Sequence, residues 1–259
     1  MENLRAIYTI WLRDVKRFWR DKPRMVGTVA QAALFLFVLG TGLGRGLAGT
    51  FAGGRDLSLA PRIDYVVFIY PGIIGMTILF TSLFSALSII WDREFGFLKE
   101  VLVAPISRSA VAIGKALGGA TVALFQGTIM LAFAPFVGVA LTPGMVVKLW
   151  LFMFLVAFSF TSMGIVIAAR MRTMEGFHMI MNFVALPMFF LSGAMFPLEG
   201  LPGWMEYLVN MDPLTYGVDM LRYTVIGLNQ YPLSHDLLVI IGFGLLMIVL
   251  AVFEFNRAD

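Results

Sequence analysis

Charge is absent from six long stretches of the chain: Met25–Gly44, Tyr65–Trp91, Ala116–Val147, Leu149–Ala169, Gly176–Leu198 and Leu237–Phe253. A helix that crosses the hydrocarbon core of a bilayer takes roughly 17–25 mostly apolar residues. The first five stretches reach that length and the last sits at its lower limit. The pattern therefore predicts an all-α integral membrane protein with six transmembrane helices, at approximately 25–46, 65–90, 110–138, 146–169, 177–195 and 237–255. Between these runs the polar positions concentrate in a basic N-terminal segment, a charged loop at 91–108 and a mixed segment at 196–235.

Residues 1–24 carry a different period. Leu4, Ile7, Tyr8, Trp11, Leu12, Val15, Phe18 and Trp19 recur at steps of three and four, which puts one apolar stripe on a helix. Arg5, Arg13, Lys16, Arg17 and Arg20 occupy the remaining surface. Such a helix is expected in the headgroup plane of the membrane lipids, its aromatics buried and its cations on phosphates. Lys22-Pro23-Arg24 then turns the chain into the first span. This amphipathic interfacial helix reads as a topology anchor, and also as a lever between a cytoplasmic partner and span one.

The segment 194–236 holds Pro197, Pro202 and Pro213, five acids, and Phe196, Trp204, Tyr207 and Tyr216. Prolines and acids argue against a seventh lipid-facing span, and this density of aromatics suits a membrane interface. Two short helices, re-entrant or interfacial, are expected between spans five and six. In the 91–108 loop, Phe95, Leu98 and Leu102 fall at helical spacing among Asp92, Arg93, Glu94, Lys99 and Glu100. Pro105 ends that helix, and Ser107 is placed to cap the next one. An apolar knob framed by charges suits a groove on another protein.

Composition agrees with the pattern. Hydrophobic residues make up 59% of the 259 and charged residues 14%, against roughly 45–50% and about 25% in soluble domains. The basic residues flank apolar runs, so the pI near 9.3 does not mark a nucleic-acid binder. With six spans and a cytoplasmic N-terminus, 14 of the 19 Lys and Arg fall on the inner side and five on the outer. The positive-inside rule then puts both termini in the cytoplasm. The first apolar run is too long for the core of a signal peptide, so none is expected.

Little in the chain offers chemistry. There is no cysteine, and His178 and His235 are predicted on opposite sides of the membrane, so no metal site is expected. The one Gly-Lys pair, Gly114-Lys115, is followed by Ala116 and has Ser109 where a phosphate loop needs glycine. The chain is not expected to be an enzyme or to bind ATP and magnesium itself. Gly40, Gly42, Gly44 and Gly46 give overlapping small-residue spacing for helix packing. Span five is rich in Met and Phe and carries Pro187, which predicts a kink.

Two motifs resemble a known family. Asp92-Arg-Glu-Phe-Gly-Phe-Leu-Lys-Glu-Val-Leu-Val-Ala-Pro-Ile-Ser-Arg108 resembles the loop of the type-2 ABC exporter permeases, with Phe97 where the family often has threonine and Lys99 beside the matching Glu100. Leu191-Ser-Gly-Ala-Met-Phe196-Pro197, then Leu201-Pro202 with Trp204, then Asp212-Pro213-Leu-Thr-Tyr216, then Leu221-Arg222, resembles the family's signature around its outer helices. Drug-resistance and nodulation-type permeases are the nearest subgroups. The resemblance implies a homodimer of permeases above two copies of an ABC nucleotide-binding ATPase subunit, which would hold the ATP and magnesium, and export of a lipophilic or lipid-linked substrate. It makes the loop a coupling helix carried by Asp92, Arg93, Glu94, Phe95, Leu98, Glu100 and Leu102. It lines the pathway with spans two and five, where Phe80, Phe84, Phe183, Met188 and Phe190 are the candidates. The alternative is a secondary transporter or channel not coupled to ATP. Such proteins usually keep ionisable groups in their spans, and the charge-free runs hold none. A membrane-embedded enzyme would need a His, Asp, Glu or Ser constellation that no span supplies.

Overall fold

The computed structural model describes residues 2–42, 64–95 and 107–257, apart from the Arg24 side chain. Every regular element among them is helical: α1 (Glu2–Arg20), α2 (Lys22–Leu34), α3 (Tyr65–Ser85), α4 (Leu87–Glu94), α5 (Arg108–Leu131), α6 (Ala134–Val137), α7 (Pro143–Arg170), α8 (Met174–Leu191), α9 (Gly203–Met211), α10 (Pro213–Ile226) and α11 (Leu233–Arg257). A wider helical turn at Phe35–Leu39 prolongs α2. Six helices are long and apolar enough to cross a membrane: Met25–Gly42, Tyr65–Glu94, Arg108–Leu131, Pro143–Arg170, Met174–Leu191 and Leu233–Arg257. They are called spans one to six below.

Their burial is unequal. Spans two, three and four form the core, with Ile73, Ile74, Ile78, Ala116, Ala123, Val156 and Phe160 sealed from solvent. Spans one, five and six are peripheral and keep apolar faces open, as at Val38, Phe183 and Leu245. In a bilayer such faces meet lipid or another protein, so exposure costs nothing there.

Helix ends follow local chemistry. Asp64, Ser107, Thr142, Thr173 and Asp212 each accept a hydrogen bond from a first-turn amide of the helix that follows, which satisfies a donor the helix cannot use itself. The expected cap at Ser107 is therefore present. Gly227, at φ +73°, ends α10 in the left-handed conformation that glycine adopts without a steric cost.

Two ends of the bundle can be distinguished. At one, Ser107 N–H donates to Asn3 Oδ1 (3.1 Å) and Arg108 donates to the Asn256 carbonyl (3.0 Å). Both described chain ends thus meet the start of span three, at the exit of the 96–106 connection; this is the loop end. The far end carries α9 and α10, the two short helices expected between spans five and six.

Candidate functional site: a charge clamp at the loop end

The stripe on α1 meets protein as well as open surface. Ile10 and Phe18 are buried, while Leu4, Tyr8 and Trp19 remain exposed. Alpha1 runs beside span three in the same chain direction. Asn3 touches Ser107, Ile7 and Ile10 approach Gly114, Asp14 approaches Gly118, Trp11 donates to Thr121 Oγ1 (3.0 Å), and Trp19 packs edge-on against Phe125. Gly114 and Gly118 make this close approach possible. A Cβ on either would stand about 3.0 Å from Ile10 or Asp14, tighter than packed carbons tolerate.

That approach brings opposite charges together. Lys115, between the two glycines, is only 4% exposed. Its Nζ donates to Asp92 Oδ2 (2.8 Å), Asp14 Oδ1 (3.2 Å) and Ser88 Oγ (2.9 Å). Arg13 donates to Asp92 as well, and Arg17 lies 3.9 Å from Asp92 Oδ1 and over the Trp91 ring. Three separate segments, α1, the end of span two and the first half of span three, are therefore joined through one ammonium. A buried ammonium with three acceptors is fully satisfied, and removing both carboxylates would leave its charge without a partner.

The next residue ties in a fourth segment. Arg93 donates to the carbonyls of Ala169 (2.9 Å) and Met171, which the end of span four leaves without intrahelical donors. Arg170 donates to Glu254 (2.5 Å) and so joins spans four and six. The root of the loop is thus fixed to α1 and to spans three and four. Arg93→Ala is expected to lower thermal stability by about 1.5–3 kcal/mol, the usual worth of charged hydrogen bonds; a melting curve of the purified chain measures it.

The loop residues named from sequence divide. Asp92 and Arg93 turn into the bundle. Glu94 and Phe95 are exposed, and the Phe95 ring is 71% open. Leu98, Glu100 and Leu102 lie outside the described residues. The pathway residues divide as well. Phe80 stacks on Phe84, and Phe84 meets Phe177 and His178. Phe183 and Phe190 stand on the open face of span five, with Met188 half-buried. A cleft of about 400 Å³ joins the aromatic group to the clamp, lined by Asp14, Arg17, Phe18, Phe84, Trp91 and His178 among others. It has a charged wall and an aromatic wall. No group of three or more metal-ligating side chains occurs among the described residues.

The far end holds the remaining named residues. Trp204 is exposed and Pro197 is exposed, Phe196 is half-buried, Pro213 opens α10, and Tyr216 is buried beside Tyr231 and His235. Arg222 is buried, stacks 4.3 Å over Phe68 and donates to the Gly193 carbonyl (2.5 Å). Burial pulls its guanidinium down to about 10. Burial pushes the Asp212 carboxyl up to about 7, against the pull of the Leu214 N–H bond. The folded chain thus keeps a proton on Asp212 at pH values where the unfolded chain, with an ordinary carboxyl near 3.8, has lost it. Stability contributed by Asp212 is complete below about 4 and is lost as pH rises through about 7. Asp212→Asn, which keeps a capping oxygen, is expected to reduce the fall in melting temperature across that window.

The charge-free reading of the spans needs correction at their ends. Lys115 lies eight positions into the span-three helix, and Asp236 in the first turn of span six; both are buried. In sequence, Gly114-Lys115 reads as a failed phosphate loop and Lys115 as one more basic residue of the inner side. Glycines four apart around a lone lysine, in an otherwise apolar helix, were the available signal for a docking seam.

Comparison with known proteins agrees with this architecture. The model of the ABC-2 type transporter family matches residues 5–226. The ycf38 protein of Cyanophora paradoxa is 31% identical over 74% of this chain and 68% of its own length. Inner membrane transport permease YadH of Escherichia coli K12 is 26% identical over 96% of this chain and 91% of its own. The Escherichia coli K12 protein named "Probable multidrug ABC transporter permease YbhR" is 28% identical over 62% of this chain and 44% of its own. The match runs from α1 to the end of α10, so it includes the clamp, the loop and the far-end helices: the chain belongs to the ABC-2 type transporter family.

Proposed function

We propose that the chain is the transmembrane half of an exporter of the inner membrane of a prokaryote, moving a lipophilic or lipid-linked substrate outward with ATP hydrolysed by a separate nucleotide-binding subunit. Two copies of the permease pair, and two ATPase subunits dock at the loop end, which faces the cytoplasm together with both termini. The observation that carries this reading is the clamp. A loop that only joined two spans would need no anchorage to three other segments, whereas a loop that receives a push from outside the bilayer must be stiff at its root. Glu94 and Phe95 stand exposed immediately beyond that root, available to a protein partner.

The cleft beside the clamp, charged on one wall and aromatic on the other, suits an amphipathic substrate better than a small ion. The buried charged groups of the described spans sit at their ends and form no path across, which favours ATP coupling over ion coupling.

Purification of the tagged chain from its native membrane is expected to bring down a subunit with a phosphate loop, and ATP turnover is expected only when that subunit is present. A pure single chain that hydrolysed ATP would refute the reading. Phe95→Ala is expected to weaken ATPase binding by roughly 1–4 kcal/mol, as for a knob at an interface, and to leave the melting temperature unchanged. Asp92→Ala is expected to lower the melting temperature.

A further inference from the structure

We propose that Asp219 and Asp236 form a proton-binding site that seals α10 against the far end of span six, one proton being held between the two carboxyl groups.

Both residues are buried, at 2% and 1% exposure. Asp219 accepts from Gln230 N–H (2.8 Å to Oδ2) and Tyr231 N–H (3.0 Å), the setting of an ionised carboxylate. Asp236 stands beside the Asp219 carboxyl, and neither of its oxygens has a hydrogen-bond partner. Two carboxylates in contact inside a protein do not both stay ionised. The arrangement closes only if Asp236 carries a proton and donates it to Asp219.

The surrounding charges agree. On α10, Arg222 lies one turn from Asp219 and Asp212 and Tyr216 lie nearer its start; Tyr231 belongs to the following turn, His235 to span six, and Glu206 to α9. Span four adds Lys148, which is exposed, and Arg170 at the opposite end. Arg222 is the buried cation of this group, and its Nε has no acceptor. One guanidinium and a singly protonated acid pair are together neutral, whereas a doubly ionised pair would leave a net negative charge. Desolvation raises the Asp219 carboxyl, and Arg222 together with the two N–H bonds pulls it down, so the pair retains its proton only while the seam stays closed. Separation of α10 from span six hydrates both acids and releases the proton. The closure of α10 on span six is thereby linked to the pH on that side.

This inference rests on the permease reading only for what the seam gates. The proton itself is counted on the isolated chain in lipid nanodiscs, so the two readings fail separately. The measurement is infrared titration with isotope-labelled aspartate, in the Asp212→Asn background that removes the other raised carboxyl. One protonated aspartate per chain is expected to persist to neutral pH, and to vanish in both Asp236→Asn and Asp219→Asn. A signal unchanged by either substitution overturns the site, as does its absence before substitution. A thiol at Thr224→Cys on α10 reports the seal. Compared at each pH, it is expected to label increasingly faster in the otherwise native chain than beside Asp236→Asn, whose amide replaces the proton as donor to Asp219. Equal rates at every pH would overturn the seal.

Discussion

Lys115→Met is expected to detach α1 from the bundle and to abolish transport. The substitution keeps the side-chain volume and removes only the charge that Asp14, Asp92 and Ser88 share. Breaking a buried ion pair by deleting one partner costs about 3–5 kcal/mol, because the other charge stays behind without compensation. Arg13 still reaches Asp92, which places the loss near the lower figure. A single cysteine at Ile10, buried against Gly114, is expected to pass from protected to reactive in this variant. Lys115→Met combined with Asp14→Asn and Asp92→Asn separates fold from coupling. Replacing a whole buried ionic group is often neutral for stability, so the melting temperature is expected to recover while transport stays uncoupled from ATP turnover. Full transport by the triple variant would reduce the clamp to a structural feature.

The second large effect is expected at Gly72. A Cβ there would stand 2.3 Å from the Ala194 carbonyl oxygen and 2.7 Å from its Cα. These are backbone atoms, so no rotamer change relieves the contact. The turn they belong to is pinned on both sides: Tyr65 Oη donates to the Met195 carbonyl (2.9 Å) and Arg222 to the Gly193 carbonyl (2.5 Å). Gly72→Ala pushes this turn away from span two and strains both bonds, one of them from a buried guanidinium. Overpacking alone costs about 1–3 kcal/mol, and the strained Arg222 bond brings the expected loss to the top of that range. Gly144→Ala, at a position with no atom within 4 Å, is the control and is expected to leave the melting temperature in place. Equal melting curves for the two variants would contradict the packing described here.

The fold class was legible because it follows from one-dimensional facts. A run of apolar residues long enough to cross a bilayer forms a helix wherever it packs, and the N-terminal stripe shows its period without reference to any partner. Proline and acid placement was enough to announce the two short far-end helices. Pairing across distant segments is not written in such patterns. Asp92 and Arg93 look like Glu94 in sequence, three charged neighbours on one short helix, yet two turn inward and one outward. The difference is set by which helix passes behind them. Lys115 was legible as a basic residue, but its partners lie 23 and 101 positions away. Asp219 and Asp236 were legible only as acids in a segment too polar to span the membrane. Their contact depends on the 227–232 turn that folds span six back against α10.

The proposal of an ATP-driven permease turns on whether the exposed residues beyond the clamp touch an ATPase. The chain has no cysteine of its own, so one thiol at Glu94 is unambiguous. In the assembled complex, Glu94→Cys is expected to crosslink to the nucleotide-binding subunit through a short bifunctional reagent and to resist a soluble thiol label. Free labelling of that thiol in the assembled complex, with no crosslink, would contradict docking at this loop.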